Sequence, residues 1–181
     1  EYTESVRSGA YTGGGTANRL RPVYHEIAGK TWGIVGFGNI GRQVGQVARA
    51  MGCRVLVNKR TPVPGWECVD LESTRGLLDR RRIALLKPNA LVINVARGAV
   101  VDEAALAEAV KQRRIGGIGV DVYTTEPLPA IHPYQEILGL PNVCLTPHMA
   151  WGGYETRVRL LEEMAENIRA FHINQLPKGF E

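Results

Sequence analysis

The sequence predicts an α/β fold built on a doubly wound parallel sheet, and three observations carry that expectation. Residues Val35-Gly36-Phe37-Gly38-Asn39-Ile40-Gly41 spell G-x-G-x-x-G between an apolar run and a helix-compatible stretch. Strand-like and helix-like segments alternate along the chain. Arg97, Asp121 with Glu126, and His148 each follow the carboxyl end of an expected strand, where ligands sit in such sheets.

The glycine loop sets the rest. Gly36 permits a tight turn out of the strand, Gly38 lets a pyrophosphate approach the backbone, and Gly41 lets the helix pack closely on the strand. The helix would turn its free N–H groups and positive dipole end toward the phosphates. The pattern is that of a Rossmann-type dinucleotide-binding domain.

The elements follow in order. Glu1–Arg21 is polar and glycine-rich, and reads as a short helix or turn with an extended arm. The first strand is Thr31–Val35, and the first helix runs over about Asn39–Met51 to Gly52. Arg54–Val57 is the second strand, and such all-apolar runs fit a sheet covered on both faces. Residues 58–72, with Pro62, Pro64 and Gly65, read as a loop. Asp79 caps a short helix that Lys87-Pro88 stops. Ala90–Val95 is the third strand, and Asp102 caps a helix with Ala105, Leu106, Ala109 and Val110 on one face. Ile118–Val122 is the fourth strand. A proline-rich loop over 124–142 leads to the fifth, Val143–Leu145. The last helix, about Thr156–Phe171, carries apolar residues at helical spacing. The expected domains are an arm and connector over 1–29, a dinucleotide-binding domain over 30–172 and a tail over 173–181.

Composition narrows the function classes. With 181 residues, 44% hydrophobic and 22% charged, the chain suits one soluble globular core. The net charge of +4 is scattered, and its one tight run, Arg80-Arg81-Arg82, reads as a solvated face and not a nucleic-acid stripe. The cysteines, Cys53, Cys68 and Cys144, lack metal-ligand spacing and suit a reducing, cytoplasmic compartment. No apolar run is long enough for a transmembrane helix. No metal, nucleic-acid or membrane partner is expected.

From about Val6 to Phe171 the chain resembles the D-isomer-specific 2-hydroxyacid dehydrogenases. The residues that carry the resemblance are Gly29-Lys30-Thr31 with the glycine loop, Ile93-Asn94-Val95-Ala96-Arg97-Gly98, Val101-Asp102-Glu103, Asp121-Val122-Tyr123 with Glu126-Pro127, and Thr146-Pro147-His148. The stretch His148-Met149-Ala150-Trp151 looks most like the glycerate dehydrogenase and hydroxypyruvate (glyoxylate) reductase branch. The resemblance implies hydride transfer between a nicotinamide cofactor and a small D-2-hydroxy or 2-keto acid. It makes Arg97 the substrate arginine, Glu126 the acid paired with the catalytic histidine, and His148 the proton donor. It implies cofactor contacts at Gly36, Gly38, Asn39, Ile40 and Gly41, at Val95 and Ala96, and at Asp121 near the nicotinamide end. It also implies a homodimer, and a substrate domain outside this segment.

The chemistry suits these roles. A guanidinium grips carboxylate and carbonyl oxygens with a fixed charge. Hydride arriving at C2 leaves negative charge on oxygen, which a histidine can protonate. A neighbouring carboxylate favours imidazolium and orients the ring. His25, His132 and His172 are read as structural. The alternative is a non-catalytic nucleotide-binding sensor or interaction module on the same fold, against which the joint presence of Arg97, Glu126 and His148 weighs.

Two departures stand out. The acid that accepts from the ribose 2′-OH in NAD enzymes is missing: Lys59, Arg60 and Thr61 occupy its turn, and no carboxylate lies between Gly41 and Trp66. A cationic pair with a hydroxyl suits a 2′-phosphate, so NADP is expected over NAD. Near Leu71-Glu72-Ser73-Thr74 the family has a helix and a strand, roughly 20 residues at usual element lengths, with no counterpart here.

Overall fold

A computed structural model describes residues 2–15, 17–18, 23–59, 61–69 and 76–172 of the chain. The chain divides into two compact units, Glu1–Leu71 and Glu72–Glu181. Arg60, the segment 71–74 and the tail 173–181 lie outside the described residues.

In the first unit, a short helix α1 (Tyr2–Arg7) precedes β1 (Thr31–Val35). Parallel strands need a crossover, and α2 (Asn39–Ala50) supplies it between β1 and β2 (Arg54–Asn58). A third parallel strand, β3 (Glu67–Cys68), pairs with β2 in the stretch expected to be loop. Two residues carry no periodicity, and what holds them is tertiary: Trp66 and Cys68 pack against a core of Phe37, Ala48, Val55 and Val57. The Arg49 guanidinium covers the Trp66 ring, 3.5 Å from its centroid.

In the second unit Asp79 caps α3 (Arg80–Ala84), its carboxylate accepting from Arg82 N–H at 2.7 Å. Strand β4 (Leu91–Asn94) follows, then α4 (Glu103–Lys111), where Asp102 accepts from Ala105 N–H at 2.9 Å. Strand β5 (Gly117–Val120) pairs in parallel with β4 and with β6 (Val143–Leu145). The proline-rich loop contains a 3-10 helix, Pro133–Ile137, whose Tyr134 and Ile137 pack with Leu106, Val110 and Ile83 in the core. The last helix, α5, is Tyr154–His172.

The described residues form two three-stranded parallel sheets, ordered β1-β2-β3 and β4-β5-β6. One expectation needs correcting: the sheets are not covered on both faces. In β4, Val92 and Asn94 are buried while Leu91 and Ile93 are 70% and 63% exposed, so the strand alternates like one with a single covered face. The apolar stripe of α5, including Leu161, Met164, Ile168 and Phe171, is likewise uncovered.

Candidate active site

The glycine turn belongs to the first unit. Gly36 has φ +90°, a left-handed conformation that costs a residue with a Cβ, and its N–H donates to Asn58 O at 3.2 Å. A Cβ on Gly41 would stand 2.2 Å from Gly36 O, so α2 can start here only if that position is glycine. A Cβ on Gly38 would meet nothing within 4 Å, so the turn is open on that side. Gly38 is also the N-cap of α2 and offers no side-chain acceptor to its first N–H groups. Asn39 and Ile40 open that helix, and Ile40 is exposed. Lys59 follows directly on Asn58, the residue bonded to Gly36, so it stands beside the turn; both Lys59 and Thr61 are exposed.

The second unit brings Arg97, Glu126 and His148 to one region. β4 ends in a local turn: Asn94 donates its side-chain amide to Arg97 O (2.9 Å) and accepts from Ala96 N–H (3.1 Å). Val95, Ala96 and Arg97 are exposed there, and the Arg97 guanidinium reaches Ala96 O at 2.7 Å. Glu126 sits on the loop after β5. One of its oxygens accepts from Tyr123 N–H at 3.0 Å, and the other lies 2.7 Å from His148 Nδ1. The Tyr123 N–H, then the His148 hydrogen bond and the charges of His148 and Arg97, hold the Glu126 carboxyl below its ordinary value against a smaller opposing effect of desolvation. With Nδ1 turned to the carboxylate, His148 Nε2 has no protein partner among the described residues.

His148 has φ +52°, an uncommon conformation for a residue with a Cβ. Asp121, 3% exposed, explains how it is held. Its carboxylate accepts from Thr146 Oγ1 at 2.5 Å and from the N–H groups of Met149 and Ala150, each at 2.8 Å. Burial alone would push the Asp121 carboxyl up. The donors from Thr146, Ala150 and Met149, with the charge of His148, outweigh it and leave the group below its ordinary value. Asp121, assigned from the sequence to the cofactor, is therefore also the anchor of the histidine loop. Two more anchors escape sequence reasoning: Tyr123 donates its hydroxyl to Thr146 O (2.8 Å), and Trp151 donates Nε1–H to His148 O (3.0 Å). Both stand within stretches that carry the family resemblance, but nothing in the sequence marks them as anchors.

Chemically, the second unit offers a fixed cation, a histidine with one free ring nitrogen, and a carboxylate behind that histidine. The first offers an open backbone turn at a helix N-terminus. Among the described residues no group of three or more His, Cys, Asp or Glu side chains could hold a metal ion. No described helix is long and apolar enough to cross a membrane.

Comparison with known proteins gives a consistent result. The family model "D-isomer specific 2-hydroxyacid dehydrogenase, NAD binding domain" matches in two stretches, residues 1–72 and 66–150, so it spans both units. A glyoxylate reductase of Thermococcus onnurineus is 33% identical over 201 aligned positions, covering 98% of this chain and 59% of the relative. A glycerate dehydrogenase of Methylorubrum extorquens is 34% identical, covering 94% of this chain and 59% of the relative. Among solved structures, the acyclic imino acid reductase Bsp5, in complex with NADPH and D-Arg, is 30% identical with a TM-score of 0.76. That match covers 96% of this chain and 61% of the reductase.

Proposed function

Since the chain belongs to the D-isomer specific 2-hydroxyacid dehydrogenase family, through its NAD binding domain, we propose that it serves an oxidoreductase. The reaction is hydride transfer between a nicotinamide cofactor and a small 2-keto acid of the glyoxylate or hydroxypyruvate type. The chain spans about 59% of the length of the curated relatives it matches, so activity belongs to a longer protein. The observation that carries this reading is the 2.7 Å contact between Glu126 and His148 Nδ1, which leaves Nε2 available, with the Arg97 charge acting on the same Glu126 carboxylate. In that reading Arg97 grips the substrate carboxylate and orients the carbonyl. His148 Nε2 delivers the proton to the carbonyl oxygen as hydride arrives at C2. Glu126 fixes the ring and balances its charge. Thr146, Met149 and Ala150 donors on Asp121 keep the loop from moving away.

When bound, the nicotinamide cofactor supplies or accepts the hydride. The turn at Gly36, Gly38, Asn39, Ile40 and Gly41 fits its pyrophosphate, since the helix start is open and uncapped by any side chain. Val95, Ala96 and Asp121 complete the proposed cofactor contacts. Lys59 beside the turn, with Thr61, favours NADP. A homodimer, a cytoplasmic location suggested by the free cysteines, and one dinucleotide-binding domain over 30–172 belong to the same proposal. So does an omission near residues 71–74. The Thermococcus match spans 201 positions yet covers 98% of the 181 residues, about 177, so roughly 24 of its positions have no counterpart in this chain, about the size of a strand and a helix.

The test is to assay the full-length gene product with NADPH and NADH against a panel of 2-keto acids, and His148→Ala beside it. Keto-acid reduction that collapses in the variant supports the reading. A full-length protein that binds cofactor but reduces none of the acids would favour the sensor alternative.

A further inference from the structure

A second histidine–carboxylate pair, Glu103 with His132, stands in the same unit as the first. Glu103 opens α4, and its side chain and that of His132 are only 12% and 9% exposed. Glu103 accepts from two donors: Thr124 N–H on Oε1 at 2.9 Å and His132 Nε2 on Oε2 at 3.2 Å. The ring tautomer follows from the network. His132 Nδ1 accepts from Tyr134 N–H at 3.2 Å and so caps the 3-10 helix, which puts the ring hydrogen on Nε2, facing Glu103.

Thr124 and His132 are the two ends of the segment that carries Glu126. Residue Tyr123, just before the first end, is the one whose N–H holds the other Glu126 oxygen. Gly98 closes the arrangement from the Arg97 side, since a Cβ there would stand 2.1 Å from Tyr123 C and 2.2 Å from Thr124 N. We propose that Glu103 and His132 are positioning residues: one carboxylate on a rigid helix pins both ends of the 124–132 segment and thereby sets Glu126 against His148. The inference rests on the reading of Glu126 and His148 given above, but its geometry does not require turnover. Both carboxylate oxygens are in use, so an amide cannot replace the group. A glutamine has one acceptor oxygen and must leave either the Thr124 N–H or the His132 N–H unpaired.

The test uses the full-length gene product without substrate. The Glu126 side-chain carboxyl is followed by carbon NMR through its acid titration, in wild type, Glu103→Gln and His132→Asn. Glu126 faces His148, Arg97 and the Tyr123 N–H. Glu103 faces His132 and the Thr124 N–H, with Tyr123 and Tyr134 near it. Asn at 132 retains an acceptor for the Tyr134 N–H but loses the donor to Glu103, which separates the cap from the clamp. The expected result is a higher proton affinity of Glu126 in both variants, by about threefold or more, because its donors are no longer held in place. An unchanged Glu126 titration in either folded variant overturns the proposal. Loss of fold in His132→Asn also overturns it, because the pair would then be a core strut only. An inactive full-length enzyme would contradict the functional reading while leaving this result intact.

Discussion

Two histidine–glutamate pairs stand in the second unit, and they differ in which ring nitrogen meets the carboxylate. In the exposed pair, Glu126 takes Nδ1 of His148, and Nε2 has no protein partner among the described residues. In the buried pair, Glu103 takes Nε2 of His132, and Nδ1 is used on the Tyr134 N–H. The residue types are the same, yet only one ring has a nitrogen to offer a substrate. Burial follows the same division: the first pair is 41% and 36% exposed, the second 9% and 12%. Under the proposed function, the fate of the second nitrogen makes one histidine a proton donor and the other a strut.

The comparison can be broken from several sides. A large effect is expected at the cation beside the exposed pair. Arg97→Ala in the full-length protein should lower kcat/KM for a 2-keto acid by about 10² to 10³, the loss of one or two hydrogen bonds to a charged group. Steady-state kinetics reads it, and a change of less than about threefold would remove Arg97 from the site. Gly98→Ala should disturb both pairs at once, because its Cβ has no room against Tyr123 and Thr124. Overpacking of this kind costs about 1–3 kcal/mol, and thermal unfolding should show a clear fall in Tm. In the other unit, Lys59→Asp should cut the NADPH-over-NADH ratio of kcat/KM by roughly tenfold, with less effect at high salt, and leave both histidine pairs untouched.

The smallest effect is expected with pH. Asp121 and Glu126 have folded-state carboxyl values below their ordinary ones. Their stabilisation is present above the ordinary values and is lost as pH falls through the lowered ones. The His148 loop should therefore loosen below about pH 4, seen as lower protection of the Met149 and Ala150 amides relative to their intrinsic exchange rates. Protection factors at these two amides that are as large at pH 3 as at pH 7 would contradict the anchor role of Asp121.

How much of this is legible in the sequence depends on what each feature is made of. The glycine turn is backbone geometry fixed by spacing, and Gly36, Gly41, β1 and β6 stand where the pattern places them. The Asp79 and Asp102 caps are readable for the same local reason. The pairing of Glu126 with His148 comes from the family resemblance. The residues are 22 apart in sequence, and no local rule joins them. His132 reads only as structural because nothing near it in sequence points to Glu103, 29 residues away. β3 escapes because two residues carry no period.

The central claim is that the free ring nitrogen separates the two histidines, and one measurement tests it: kcat of the full-length protein for His148→Asn and His132→Asn, side by side. The account predicts a loss of about 10² to 10⁴ at His148, the usual effect of removing a general acid, with cofactor binding nearly intact. At His132 it predicts a fall of no more than roughly tenfold, since only the position of Glu126 is affected. Equal losses at the two positions, or the larger loss at His132, would contradict it.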